Sequence, residues 1–125
     1  MSDELGKITS DFVAALDALD VERIMQLATD DVQGVDEISR RWLRGREEVE
    51  AYLRQLMASV SAIRTELREP TERVWGDCGV LTCWIDQEYT MEGEPQHVSA
   101  PTTIVCRREA GDWKWALFHS IPIPA

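Results

Sequence analysis

The stretch from Gln96 to Pro122 constrains this fold most. It reads Q-H-V-S-A-P-T-T-I-V-C-R-R, then E-A-G-D, then W-K-W-A-L-F-H-S-I-P. Two β-rich runs flank a turn centred on Gly111 and Asp112, the signature of a hairpin. Each run is about a dozen residues, whereas strands usually run to ~5–6, so both strands are expected to be long and bent. A long, bent hairpin offers a wide apolar face that something must cover. The helical segments earlier in the chain are the available cover.

The first helical segment runs from about Asp3 to Leu19. Leu5, Ile8, Phe12, Leu16 and Leu19 recur at helical spacing, and Ser2 or Asp3 can cap its start. Asp20 reads as the N-cap of a second, shorter helix with Val21, Ile24, Met25 and Ala28 on its apolar face, ended by Thr29-Asp30-Asp31. Val32 to Asp36 reads as a short strand, and Glu37 to Arg44 as loop or short strand. Gly45 opens a third helix with a stripe at Val49, Tyr52, Leu53, Leu56, Met57 and Val60. From Ala62 the period changes to two. Ile63, Thr65 and Leu67 alternate with charged residues up to Pro70, and Glu72 to Trp75 starts another strand. Gly79 to Thr90 reads as a long strand with apolar residues on both faces, and Met91 to Pro95 as a turn. Three helices followed by a meander of strands give an α+β chain with helices on one sheet face, one domain over residues 1–125.

Composition narrows the partners. The formal charge is -10, which repels a phosphate backbone or an anionic membrane surface. No apolar run is long enough to span a bilayer. Met-Ser-Asp-Glu-Leu lacks the basic start of a secretory signal. The three cysteines, Cys78, Cys83 and Cys106, lack paired spacing and read as buried thiols in a reducing cytoplasm. His97 and His119 have no cysteine or carboxylate at metal-ligand spacing, so no metal and no cofactor are expected.

The helix-turn-helix from Ala14 to Asp31, the Arg44-Gly45 opening with Val49 and Tyr52, and the closing G-D-W-K-W-A-L-F-H-S together resemble the nuclear transport factor 2-like superfamily. The nearest branches are the SnoaL-like (polyketide cyclase-like) and ketosteroid isomerase-like ones. The resemblance implies a cystatin-like cone: a curved antiparallel sheet wrapped around three N-terminal helices, with a pocket at the open end. It also implies a homodimer through the outer sheet face. Relatives run isomerisation, aldol cyclisation or dehydration without a metal.

By this resemblance Asp36, five residues past Asp31, matches the general base of the isomerases. Their tyrosine oxyanion donor falls at Phe12, which has no hydroxyl, and their acidic donor falls at Thr103. Phe118 matches an aromatic that covers the base. His119 matches a His-Ser pair near the end of cyclase-like sequences. Strand parity counted from Thr103 and Phe118 puts Cys83, Ile85, Pro101, Val105 and Ala116 on the concave side, and Trp84, Asp86 and Trp115 outside. Leu16 lies beside Phe12 on its stripe, and Trp42 lies near the expected mouth. The expected ligand contacts are therefore Phe12, Leu16, Trp42, Ile85, Pro101, Phe118 and His119, with Asp36 and Thr103 as the reacting pair.

Two readings stand at this level. In one, a small acid–base enzyme moves a proton within a small hydrophobic or carbonyl-containing molecule, with Asp36 as base and Thr103 orienting the carbonyl. In the other, the chain is a non-catalytic ligand-binding or dimerisation module, and Asp36 is a solvated residue at a strand end. The discriminating feature is whether Asp36 lines a cavity and faces a donor there.

Overall fold

The computed structural model describes residues 4–36 and 38–121. Ser2 and Asp3, the expected caps, and Glu37 and Pro122 lie outside the described residues. Helix α1 spans Gly6–Asp17 and α2 spans Val21–Gln26; strands β1 (Ala28–Val35) and β2 (Leu43–Arg44) follow. Then come α3 (Gly45–Ser59), β3 (Val60–Trp75), β4 (Cys78–Met91), β5 (Glu94–Glu109) and β6 (Asp112–Ser120). One six-stranded curved sheet runs in the order β2-β1-β6-β5-β4-β3, with β1 parallel to β6 and every other pairing antiparallel.

Local chemistry explains the helices. In α1, Ile8, Phe12, Ala15 and Leu16 form the buried stripe. The Asp20 carboxylate accepts the Arg23 N–H at 3.0 Å and starts α2. Before α3, the Glu48 carboxylate accepts the Arg44 N–H at 2.9 Å, and Glu47 and Glu48 sit at the positive end of the helix. Only Val49 of α3 is fully buried; Tyr52, Leu53 and Met57 are partly so. The rest of that stripe faces a cavity.

Several boundaries differ from the sequence reading: Val60 opens β3 instead of closing the α3 stripe, Glu94 and Pro95 belong to β5 and not to a turn, and two others shift for a tertiary reason. Thr29-Asp30-Asp31 does not end α2 but belongs to β1, because Ala28 pairs with Trp115 of β6 and Leu27 C=O accepts the Trp115 N–H at 2.9 Å. Pro70 does not stop a strand. β3 runs through it, because β3 is the edge strand and the register shifts between Arg68 and Thr71, where Glu69 adopts φ +54°. A bulge on an edge strand tolerates proline and bends the sheet.

The helices lie on the inner face of this sheet. There Leu81, Cys83 and Ile85 of β4, Ala100, Thr102, Ile104 and Cys106 of β5, and Trp115 and Ser120 of β6 are buried. Phe12 joins helix to sheet, with its ring 5.1 Å from that of Trp115 (edge-on) and 5.9 Å from that of Phe118. The inner face also explains Gly79: a Cβ there would lie 2.9 Å from Cδ2 of Leu5, which is fully buried.

Candidate functional site

Between α1, α3 and the inner sheet face lies a cavity of about 100 Å³. Its walls are mainly apolar: Phe12 and Leu16 from α1, Val49, Leu53 and Met57 from α3, and Trp115 and Phe118 from β6. The polar side chains on its wall are Asp36, Tyr52, Gln87, Tyr89 and Ser120. Drug-sized ligands occupy pockets of ~300–1,000 Å³, so this cavity suits a body of about one ring.

Asp36 follows the last residue of β1. Its Oδ1 accepts the N–H groups of Ile38 at 3.1 Å and Ser39 at 2.8 Å, while Ser39 Oγ accepts the Asp36 N–H at 3.1 Å. This reciprocal turn fixes the carboxylate where the chain leaves the sheet. Tyr52, on the second turn of α3, completes its setting. The phenol donates across both carboxylate oxygens, 2.8 Å from Oδ1 and 2.9 Å from Oδ2. Among the described residues no Lys or Arg forms an ion pair with Asp36. Its charge is met by a hydroxyl and two backbone N–H groups.

Trp115, Thr102 and Gln87 turn their donors into the protein. The Trp115 indole N–H donates to the Ile24 carbonyl at 3.0 Å. Thr102 Oγ1 lies 3.1 Å from both the Ala100 carbonyl and Ser120 Oγ. Thr102 carries one hydroxyl proton and so donates to one of the two at a time. Gln87 Nε2 donates to Thr65 Oγ1 at 3.1 Å.

The structure brings Asp36, Phe12, Leu16 and Phe118 together on the cavity wall. It does not bring Thr103 there. Thr103 pairs with Thr82 and His119 on the outer face, while its neighbour Thr102 is buried inside. Parity was counted as if Thr103 and Phe118 shared a face; in the observed register Phe118 pairs with Ile104, so they point to opposite sides. Pro101 and Val105 lie outside with Thr103 for the same reason, and Pro101 is exposed. A second irregularity lies in β6. Val105 pairs with Leu117 but Cys106 with Trp115, so Ala116 is the extra residue of a bulge and not an inner-face position. The bulge turns Trp115 inward, where it is buried, against the expected outward placement.

Ile85 is buried on the inner face but belongs to the core and not to the cavity wall. His119 lies on the outer face and stacks on Trp42, with ring centroids 5.8 Å apart and planes 17° apart. The Arg44 guanidinium lies 5.6 Å from the Trp42 ring centroid. That pair forms an edge stack outside the cavity, so neither residue is a contact for a ligand seated inside. Tyr52 was read only as part of a helical stripe. Its phenol was the available signal, since a buried Tyr hydroxyl needs a partner. Ser120 carried no comparable signal.

Burial pushes the Cys83 thiol up to about 11 and the Cys106 thiol up to about 12, whereas Cys78 is exposed. Among the described residues no three His, Cys, Asp or Glu side chains gather where a metal could be held. No helix among them is long and apolar enough to cross a membrane.

Comparison with known proteins places this geometry. A candidate dehydratase of the nuclear transport factor 2-like family from Streptomyces avermitilis superposes with TM-score 0.89 at 22% identity, covering 98% of this chain and 97% of that one. A candidate calcium/calmodulin-dependent protein kinase II association domain from Xanthomonas campestris gives 0.85 at 21%, covering 97% and 86%. A ketosteroid isomerase-like protein from Erwinia carotovora atroseptica gives 0.83 at 17%, covering 100% of both. These identities establish a common fold alone. No curated protein sequence matches the chain. The model of the SnoaL-like domain matches residues 7–124. The chain therefore belongs to the SnoaL-like domain family, within the nuclear transport factor 2-like superfamily.

Proposed function

We propose that the cavity binds a small, mainly apolar molecule and that Asp36 exchanges a proton with it, in a metal-free reaction of the isomerase, cyclase or dehydratase type. The observation that carries this reading is the Asp36–Tyr52 pair on an otherwise apolar wall. In such a site Asp36 Oδ2 takes a proton from the bound molecule and returns it at a second position. Tyr52 stabilises the charged carboxylate before the transfer, and its O–H follows the charge. The apolar wall excludes water from the exchange. The expected part of Thr103 in orienting a carbonyl loses support, because Thr103 lies on the outer face.

The test is a panel of small enones, phenols and alcohols, read by tryptophan fluorescence and thermal shift for wild type and Asp36→Asn. Asn keeps an oxygen for the turn N–H groups, so the fold survives. A compound that is turned over by wild type, and about 10²–10⁴-fold slower by Asp36→Asn, supports the reading. Binding with no turnover and no dependence on Asp36 reduces the site to a binding pocket.

A second reading concerns self-association. Val80, Val105 and Leu117 pair laterally across three strands on the outer face, with Trp84 and Pro101 paired on β4 and β5 nearby. This apolar row supports a homodimer through that face, and light scattering of wild type against Val105→Lys tests it.

A further inference from the structure

The donors on the cavity wall share a feature that bears on the ligand. At the Asp36 end the Tyr52 hydroxyl is spent on Asp36 and Ser120 Oγ is hydrogen-bonded with Thr102 Oγ1, while the Trp115 indole, farther along β6, donates to Ile24. Asp36 and Ser120 sit at one level of adjacent strands, each one residue beyond the Val35–His119 pair. What this end presents foremost to a ligand is therefore acceptor oxygen, from the Asp36 carboxylate. The amide of Gln87 is remote from it. Gln87 lies four residues along β4 from Cys83, whose row holds Thr102 and Ser120, or about 13 Å at the strand rise.

We infer that the cavity selects molecules whose polar head donates a hydrogen bond, a hydroxyl or an ammonium on a one-ring apolar body, over molecules whose head only accepts, such as a ketone or aldehyde. This rests on the proposed ligand pocket and specifies its substrate class. A donating head replaces its lost water with a bond to an anionic oxygen, and bonds to charged groups are the stronger kind. A carbonyl head loses its water and meets the lone pairs of that carboxylate. The aromatic faces of Phe12 and Phe118 add attraction if the head is cationic.

The experiment compares three probes of one size by calorimetry: benzyl alcohol, benzylammonium and benzaldehyde. The expected result is that the alcohol, the ammonium or both bind at least about tenfold more tightly than the aldehyde. Asp36→Asn, whose amide can itself donate, should narrow that ratio severalfold or reverse it. Loss of the ammonium alone in Asp36→Asn identifies a cationic ligand, and a smaller loss for the alcohol identifies a neutral one. Ser120→Ala gives a lesser narrowing. Equal binding of all three, or a preference for the aldehyde, overturns the inference while leaving the pocket in place. Binding of none of them, or binding unchanged when Leu16→Trp fills the cavity, overturns the pocket reading and this inference with it.

Discussion

The two faces of the same strands are built on different terms. On the inner face, Cys83, Thr102, Ile104, Cys106 and Trp115 are each less than a tenth exposed, and the polar atoms among them find partners within the protein. On the outer face, Trp84 lies under the Arg68 guanidinium, 5.4 Å from its ring centroid, and Arg68 pairs with Asp86 at 2.8 Å. Both faces are rich in apolar and aromatic residues. Residue type alone therefore does not tell inside from outside. What separates them is the helix layer, which removes water from one face and leaves the other to be covered by long charged side chains.

The largest expected contrast is in tryptophan truncation. Trp115→Ala should cost about 3–5 kcal/mol, because it empties a buried, hydrogen-bonded site. Trp84→Ala should cost about 1 kcal/mol or less, being a half-buried surface position. Urea unfolding of both variants checks this, and equal costs would break the comparison. Thiol reactivity gives the next contrast. At pH 8 the exposed Cys78 should label promptly. Cys83 and Cys106, whose thiols burial holds at about 11 and about 12, should label about 10²-fold or more slowly. Three equally reactive thiols would mean that the inner face is open.

The smallest effect belongs to the outer ion pair. The hydrogen bond from Arg68 holds the Asp86 carboxyl below its usual 3.8, with help from Ser99. A depressed folded value means that the contribution is present above about pH 4 and lost as pH falls through the folded value. The lead of wild type over Asp86→Asn should therefore be small at pH 7, shrink below pH 4 and fall with added salt. A lead that grows on acidification would contradict the assignment.

Much of the architecture was legible because periodicity is local. The stripes Ile8-Phe12-Leu16 and Val49-Tyr52-Leu53, the Asp20 cap and the hairpin turn at Gly111 all follow from neighbours in sequence. The faces of β5 and β6 were not legible. They depend on which residue of one strand meets which of another, and on an extra residue at Ala116 that no composition marks. One such residue reverses every later assignment in the strand. The bulge accounts for Trp115, and the pairing of Phe118 with Ile104 accounts for Thr103 and Pro101. Asp36 was placed at the cavity by the resemblance to the isomerases, since a carboxylate at a strand end reads equally as solvated. Its partner Tyr52 was hidden by the same apolar stripe that located its helix.

The proposed proton exchange requires the inner face, and not the outer, to hold the ligand. The most direct test follows the tryptophan indole N–H signals by NMR while benzyl alcohol is added. Trp115 donates its indole proton to Ile24 on the cavity wall, and Trp84 lies on the outer face. Binding inside the cavity shifts the Trp115 signal saturably and leaves Trp84 unmoved. A saturable shift of Trp84 with Trp115 unmoved would contradict it.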